Sequence, residues 1–160
     1  MIYKPDLILE KYDDLDLGDF RMRGFRYLLL DIDNTIAAHY DEKPDKRAIN
    51  FVKKAQDKGF EVILISNNNR HRVLAFANGL NCSGYYFSLK PLPLTYSKIV
   101  KDYNLDKSKV ICMGDQLFTD VVGANLMHLF SVYVKPLVDN DNIYTKLTRG
   151  LEKIIFKYLI

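Results

Sequence analysis

Leu28-Leu29-Leu30-Asp31-Ile32-Asp33-Asn34-Thr35 decides how the chain is read. Three leucines in a row suit a strand buried on both faces. A strand turns successive side chains to opposite sides, so Asp31 and Asp33, with Ile32 between them, point the same way. Two carboxylates side by side at the end of an apolar strand are costly unless something pairs with them. A divalent cation is the simplest partner. Asn34 and Thr35 are turn formers that carry donors. The stretch is suited to holding a hard metal ion and an anion at a strand end.

Downstream, strand and helix signals alternate. The first strand runs over 27–32. Pro44-Asp45 starts a helix carrying Ala48, Ile49, Val52 and Ala55 at helical spacing, and Lys58-Gly59 ends it. A second apolar strand covers 60–65 and leads into Ser66-Asn67-Asn68-Asn69. A helix over 70–80 closes at Asn81. A short strand over 85–87 precedes Lys90-Pro91, and a helix follows over 94–103. A fourth strand over 109–113 leads into Gly114-Asp115, then come a helix over 120–127 and a fifth strand over 129–134. This alternation predicts an α/β fold of three layers, Rossmann-like, with a mostly parallel sheet. The first 26 residues read as an irregular N-terminal arm with room for a helical turn, and 144–160 as a C-terminal amphipathic helix. All 160 residues read as one domain.

Ligands of such sheets bind at the carboxyl ends of the strands. Four polar clusters fall there: Asp31/Asp33, Ser66, Lys90 and Asp115/Asp120. Taken together they suit phosphoryl transfer. Asp31, ionised without a helper base, can attack phosphorus and form an aspartyl-phosphate. Asp33 can give a proton to the leaving alcohol and take one from the attacking water. Mg²⁺ asks for a few carboxylates and substrate oxygens rather than a full protein cage. Asp31, Asp115 and the Asp33 carbonyl offer such a set, with Asp120 in the outer coordination sphere. Thr35, Ser66 and Asn67 are expected at the phosphate, and Lys90 supplies fixed positive charge beside it.

Composition narrows the alternatives. A net charge of +3 and a hydrophobic share of 48% fit an ordinary globular protein and not a dedicated nucleic-acid binder. Cys82 and Cys112 lack metal-ligand spacing and read as reduced thiols, Cys112 as a buried one, which suits the cytoplasm. The start has the look of neither a signal peptide nor a membrane span. Any membrane contact is expected to be peripheral, on the inner face.

With these residues in place, a family resemblance emerges. Asp31-Ile32-Asp33-Asn34-Thr35, Ile63-Leu64-Ile65-Ser66-Asn67-Asn68, Lys90-Pro91 and Gly114-Asp115-Gln116-Leu117-Phe118-Thr119-Asp120 resemble, in order, the four motifs of the haloacid-dehalogenase (HAD) superfamily phosphatases. The arm with Pro5, Gly24-Phe25-Arg26, Ser66-Asn67-Asn68-Asn69 and Gly114-Asp115-Gln116 are similar to the YqeG-like HAD-IIIA branch. That branch is related to the phosphatidylglycerophosphate phosphatases. The resemblance implies the roles already given to Asp31, Asp33, Ser66, Lys90 and Asp115, with Mg²⁺ as cofactor. It also implies a phosphate ester as substrate, favouring a phospholipid headgroup over a soluble monoester. A non-catalytic binding module would be expected to have lost one of Asp31, Asp33, Lys90 or Asp115.

Asp31 to Ser66 spans 35 residues and Ser66 to Lys90 spans 24, each filled by the expected helix and strand. No room remains for a cap domain, so the site is expected to be open. His39 and Tyr40 can line its mouth. Arg70 and Arg72 can reach substrate or stay solvated, His71 reads as solvated, and His128 as structural. Arg21, Arg23 and Arg26 read as a solvated rim. Two placements fit the tail, whose Leu147, Leu151, Ile154, Ile155, Tyr158 and Leu159 share a face: packing on the sheet, the commoner use, or lying on an anionic membrane. The oligomeric state is left open.

Overall fold

The computed structural model describes residues 1–138 and 150–157. Among the described residues six strands form one all-parallel sheet: β1 (Leu7–Leu9), β2 (Tyr27–Leu30), β3 (Glu61–Ile65), β4 (Ser83–Tyr85), β5 (Val110–Gly114) and β6 (Phe130–Val134). Their order is β1-β6-β5-β2-β3-β4. Between them run α1 (Leu17–Met22), α2 (Lys46–Asp57), α3 (Arg70–Leu80), α4 (Pro93–Asp102) and α5 (Val122–Leu126). Residues 150–157 form α6.

Alternation along each strand builds the layers. Leu28, Leu30, Val62, Leu64, Ile111 and Met113 face one core, under α1, α2 and α3. Leu29, Ile63, Ile65, Val110 and Cys112 face the other, under α4 and α5. Burial on both faces explains why these strands read as unbroken apolar runs. The helix ends follow their signals. The Asp45 side chain accepts from Ala48 N–H to cap α2, Asn69 caps α3, and Asn81 closes α3 in the left-handed region. Among the described residues, only a loop lies between β2 and α2, and a loop and α3 between β3 and β4, so no cap domain is inserted there.

The arm departs most from the irregular segment expected. Leu7–Leu9 is an edge strand paired with Val132–Val134, and Leu17–Met22 is a helix. A three-residue strand is too short to show periodicity, and its partner lies over 120 residues away. The arginine rim is also more structural than expected. Arg21 and Arg26 donate to the carbonyls of Lys58, Phe25 and Arg21, and Arg23 stacks on Phe20. The short strand expected over 85–87 is β4, Ser83–Tyr85, leaving Tyr86 and Phe87 outside it and exposed. The helix expected over 120–127 begins as a π-helical turn, Leu117–Val121, and becomes α-helical from Val122.

Of the tail helix expected over 144–160, residues 144–149 and 158–160 lie outside the described residues. On α6, Ile155 and Phe156 pack on Leu117, Val121 and Tyr133. Leu151 and Ile154 are exposed, while Glu152 is buried. The packed face is thus rotated from the apolar stripe read in the sequence. A buried acid has recruited it, as described below. Among the described residues no helix is long and apolar enough to cross a membrane.

Tyr96 is fully buried, and among the described residues its hydroxyl, between α4 and α5, has only the Cys112 thiol beside it and no hydrogen-bond partner of ordinary geometry. An unpaired buried hydroxyl costs about 1–3 kcal/mol. Tyr96→Phe is therefore expected to match or exceed the wild-type melting temperature. A lower one would mean that the hydroxyl is satisfied.

Candidate active site

The connections diverge where β2 lies beside β5: α2 leaves over one face of the sheet and α5 over the other. This opens a crevice at the carboxyl ends of the two strands. Asp31 follows β2, and Asp115 follows β5. Asp31, Asp115 and Asp120 are all buried, and each offers a carboxylate oxygen within 4.8 Å of the others. Lys90 arrives from the loop after β4. Its Nζ donates to Asp31 Oδ1 and Asp120 Oδ1, both at 2.6 Å.

Burial, reinforced by Asp120 and Asp33 and opposed by Lys90, pushes the Asp31 carboxyl up to about 7. Burial also works against the charge on Lys90, but Asp120 and Asp31 outweigh it and hold the ammonium above its usual range. Three carboxylates face one ammonium, and all the converging donors are oxygen. That donor set fits a hard dication, which would balance the charge. Burial also pushes both thiols up to about 12, as befits unreactive cysteines.

Local packing fixes each carboxylate. Asp31 N–H donates to Met113 C=O, continuing the sheet ladder past β2. Thr35 is fully buried, donates to Asp31 Oδ2 at 3.0 Å, and lies 3.4 Å from Asp115 Oδ1. Its hydroxyl is engaged with the carboxylates. Asp120 Oδ2 accepts from Gln116 N–H at 3.2 Å. Asp120 thus joins the acidic cluster, with one carboxylate oxygen on Lys90 and the other on Gln116 N–H.

Gly114 makes the close packing possible, because a Cβ there would sit 2.2 Å from Cγ of Asp120. Gly114→Ala is expected to displace Asp120, destabilise the protein by about 1–3 kcal/mol, and weaken divalent-metal binding about tenfold. Metal titration by calorimetry checks this; unchanged affinity would show that the crowding is relieved elsewhere.

Ser66, the Asn67–Asn69 loop, Lys90, Asp33, His39, Phe87, Gln116 and Thr119 line an open cavity of about 520 Å³. A larger hollow, about 890 Å³, lies at the other end of the sheet among Met1, Lys4, Asn125 and His128, away from the carboxylate cluster. Asn67 donates to Lys90 C=O and accepts from Lys90 N–H, fastening the loop after β3 to the loop after β4. Its amide is thereby engaged with backbone. Ser66 Oγ accepts from Asn68 N–H.

Asp33, by contrast, is held outside the cluster, between Arg72 and Asn68. Arg72, for which the sequence allows either substrate contact or a solvated place, binds Asp33 instead. The sequence does not point to Glu152, which, on α6, accepts from Leu117 N–H at 2.7 Å at the start of the π-helical turn that carries Asp120. The only sequence signal for Glu152 is that it is the lone acid between residues 144 and 160.

A family model described as haloacid dehalogenase-like hydrolase matches residues 3–128. "Probable phosphatase YqeG" of Bacillus subtilis (strain 168) is 27% identical over 157 residues, covering 98% of this chain and 91% of that one. Among solved structures, cobalt-bound deoxy-D-mannose-octulosonate 8-phosphate phosphatase of Haemophilus influenzae matches with a TM-score of 0.57 and 14% identity, covering 80% of this chain and 77% of that one. D,D-heptose 1.7-bisphosphate phosphatase of B. bronchiseptica, complexed with magnesium and phosphate, matches at 0.51 and 16% identity, covering 69% and 80%. At these identities the two structures bear on the fold alone.

Proposed function

The chain belongs to the haloacid dehalogenase-like hydrolases, and from that premise we propose that it is a Mg²⁺-dependent phosphomonoester hydrolase working through an aspartyl-phosphate. The observation that carries this is Asp31, tied to Lys90 and set beside Asp115 and Asp120 at the edge of an open cavity. Asp31 and Asp115 would hold the ion, with the Asp33 carbonyl and with Asp120 close by. Bound Mg²⁺ would supply charge to keep Asp31 ionised and to screen the phosphoryl oxygens from it.

Asp31 attacks phosphorus as the ester P–O bond breaks, and Asp33 gives its proton to the departing alkoxide. Water then attacks the phosphorus of the aspartyl-phosphate, Asp33 takes its proton, and inorganic phosphate leaves with Asp31 regenerated. Lys90 holds Asp31 and meets the phosphoryl charge, and Ser66 and the amides beside it bind phosphoryl oxygens.

The favoured substrate is phosphatidylglycerophosphate, a reading that goes with a cytoplasmic protein working at the membrane surface. The support is a rim. Tyr86, Phe87, Leu89, Leu92 and Leu94 are all exposed on one short segment after β4, and Phe87 also lines the cavity. That segment is pinned by Phe87 N–H to Asn68 C=O and Ser88 N–H to Ser66 C=O, so its apolar side chains stand at a fixed place beside the phosphate site. A lipid headgroup could enter the cavity while the rim meets acyl chains.

The test is phosphate release from phosphatidylglycerophosphate in mixed micelles, compared with soluble glycerol phosphate and a sugar phosphate. Each exposed leucine that enters lipid is worth about 1.5–3 kcal/mol. Leu92→Ser/Leu94→Ser is therefore expected to lower kcat/KM for the lipid at least about tenfold, with the soluble esters unchanged. Soluble esters turned over as well as the lipid would sink the lipid assignment and leave the chemistry standing.

A further inference from the structure

We propose that Arg72 is the positioning residue for Asp33, aiming its carboxyl at the ester oxygen that departs. This rests on the acid–base role given to Asp33 above.

Arg72 stands in the first turn of α3, and its side chain is 12% exposed. Its Nε lies 2.8 Å from Asp33 Oδ1, and so does Nη2. Nη2 also donates to Ala38 C=O at 2.9 Å, and Nη1 donates to Asp41 C=O. The guanidinium lies over the Phe76 ring, one turn along α3, 4.9 Å from its centroid. Asp33 Oδ2 is held separately by Asn68 Nδ2 at 3.0 Å. Each carboxyl oxygen of Asp33 therefore has its own fixed donor, and rotation about the carboxyl bond is blocked.

The residual exposure of Asp33, 25% of its side chain, opens onto the cavity that it lines. A clip that served the fold alone would need only the two loop carbonyls. Spending the same guanidinium on a carboxylate in the cavity wall ties the reactive group to the loop that presents His39 to the same cavity. A planar fork with five donors can span these three acceptors at once, whereas a lysine ammonium on its single stem cannot.

An acid out of position harms esters whose alcohol needs a proton to depart and spares those whose leaving group departs as an anion. The experiment measures kcat/KM, which reports formation of the aspartyl-phosphate, for glycerol phosphate and for p-nitrophenyl phosphate. It compares the wild type, Arg72→Ala, Arg72→Lys, Asp33→Asn and the Arg72→Ala/Asp33→Asn double variant. Arg72→Ala is expected to lose about 30–100-fold on glycerol phosphate and under about threefold on p-nitrophenyl phosphate. Arg72→Lys, which keeps the charge and the fold, should show the same bias. In the Asp33→Asn background, Arg72→Ala should cost nothing further.

Equal losses on both esters, or a full additional loss in the Asp33→Asn background, would overturn the proposal while leaving the phosphatase reading intact. If wild type hydrolysed neither ester, or Asp33→Asn showed no ester bias, the acid–base reading would fall and the proposal with it.

Discussion

Asp31→Asn is expected to lower turnover of every phosphate ester by at least about 10⁴-fold, because an amide cannot carry the phosphoryl group. The same variant should change stability in the opposite sense. Burial, with Asp120 and Asp33 nearby, raises the Asp31 carboxyl to about 7 in the folded protein, against about 4 for an unfolded aspartate. A group whose folded value is raised contributes stability that is fully present below the unfolded value and lost as pH climbs through the folded one. Metal-free wild type should thus lose stability from this group between about pH 4 and 7.

Asparagine has no charge to bury, so in chelator the melting temperature of Asp31→Asn should gain on wild type as pH rises from 5 to 8. Saturating Mg²⁺ should narrow the gap, because the ion stabilises the wild type more. A gap independent of pH would mean that Asp31 is ionised throughout and that Lys90 alone suffices to hold it so.

Lys90→Met is expected to be the most damaging change to the fold around the site. Lys90 is nearly inaccessible and serves two buried carboxylates. Removing one side of a buried ion pair costs about 3–5 kcal/mol, since the remaining charge is left uncompensated. Turnover should also drop about 10²–10³-fold from loss of the fixed charge. Lys90→Met/Asp120→Asn separates the two effects. With one carboxylate neutralised, urea midpoints should recover much of the loss while activity stays down. Lys90→Met should also depend more steeply on Mg²⁺ for its stability than wild type does. A variant that melts like wild type without metal would mean that Lys90 does not carry this charge load.

What was legible in the sequence follows one rule: signals carried by neighbours in the chain survive, and those that depend on distant partners do not. Leu28–Leu30 and Val62–Ile65 announce buried strands because both faces are covered. Asp31, Ser66, Lys90 and Asp115 stand at ends that such strands mark. Asp45, Asn69 and Asn81 cap helices through bonds three or four residues away.

β1 has three residues and owes its existence to β6. Arg72 is an ordinary surface-type residue until Asp33, Ala38 and Asp41 close around it. Glu152 looks like a lone acid in a basic, apolar tail until Leu117 N–H is found facing it. The rim after β4 was hidden differently. Tyr86 and Phe87 read as strand because aromatic residues favour strands, and only the early end of β4 at Tyr85 shows them standing in solvent.

The pairing of β1 with β6 has a consequence for biosynthesis. Translation runs from the N-terminal side, so β1 is made before β2 to β5, yet its partner among the described strands, β6, is made after them. Of the described strands, β1 therefore waits longest to be seated. The turn after Asp33 waits as well, because Asn34 C=O receives Leu137 N–H from beyond β6. A nascent chain can assemble β2, β3 and β4 early, but the turn after Asp33 gains this bond only when nearly every described residue has been translated. The loop beside Asp31 is thus fastened late, in a sheet closed at its edge by β1.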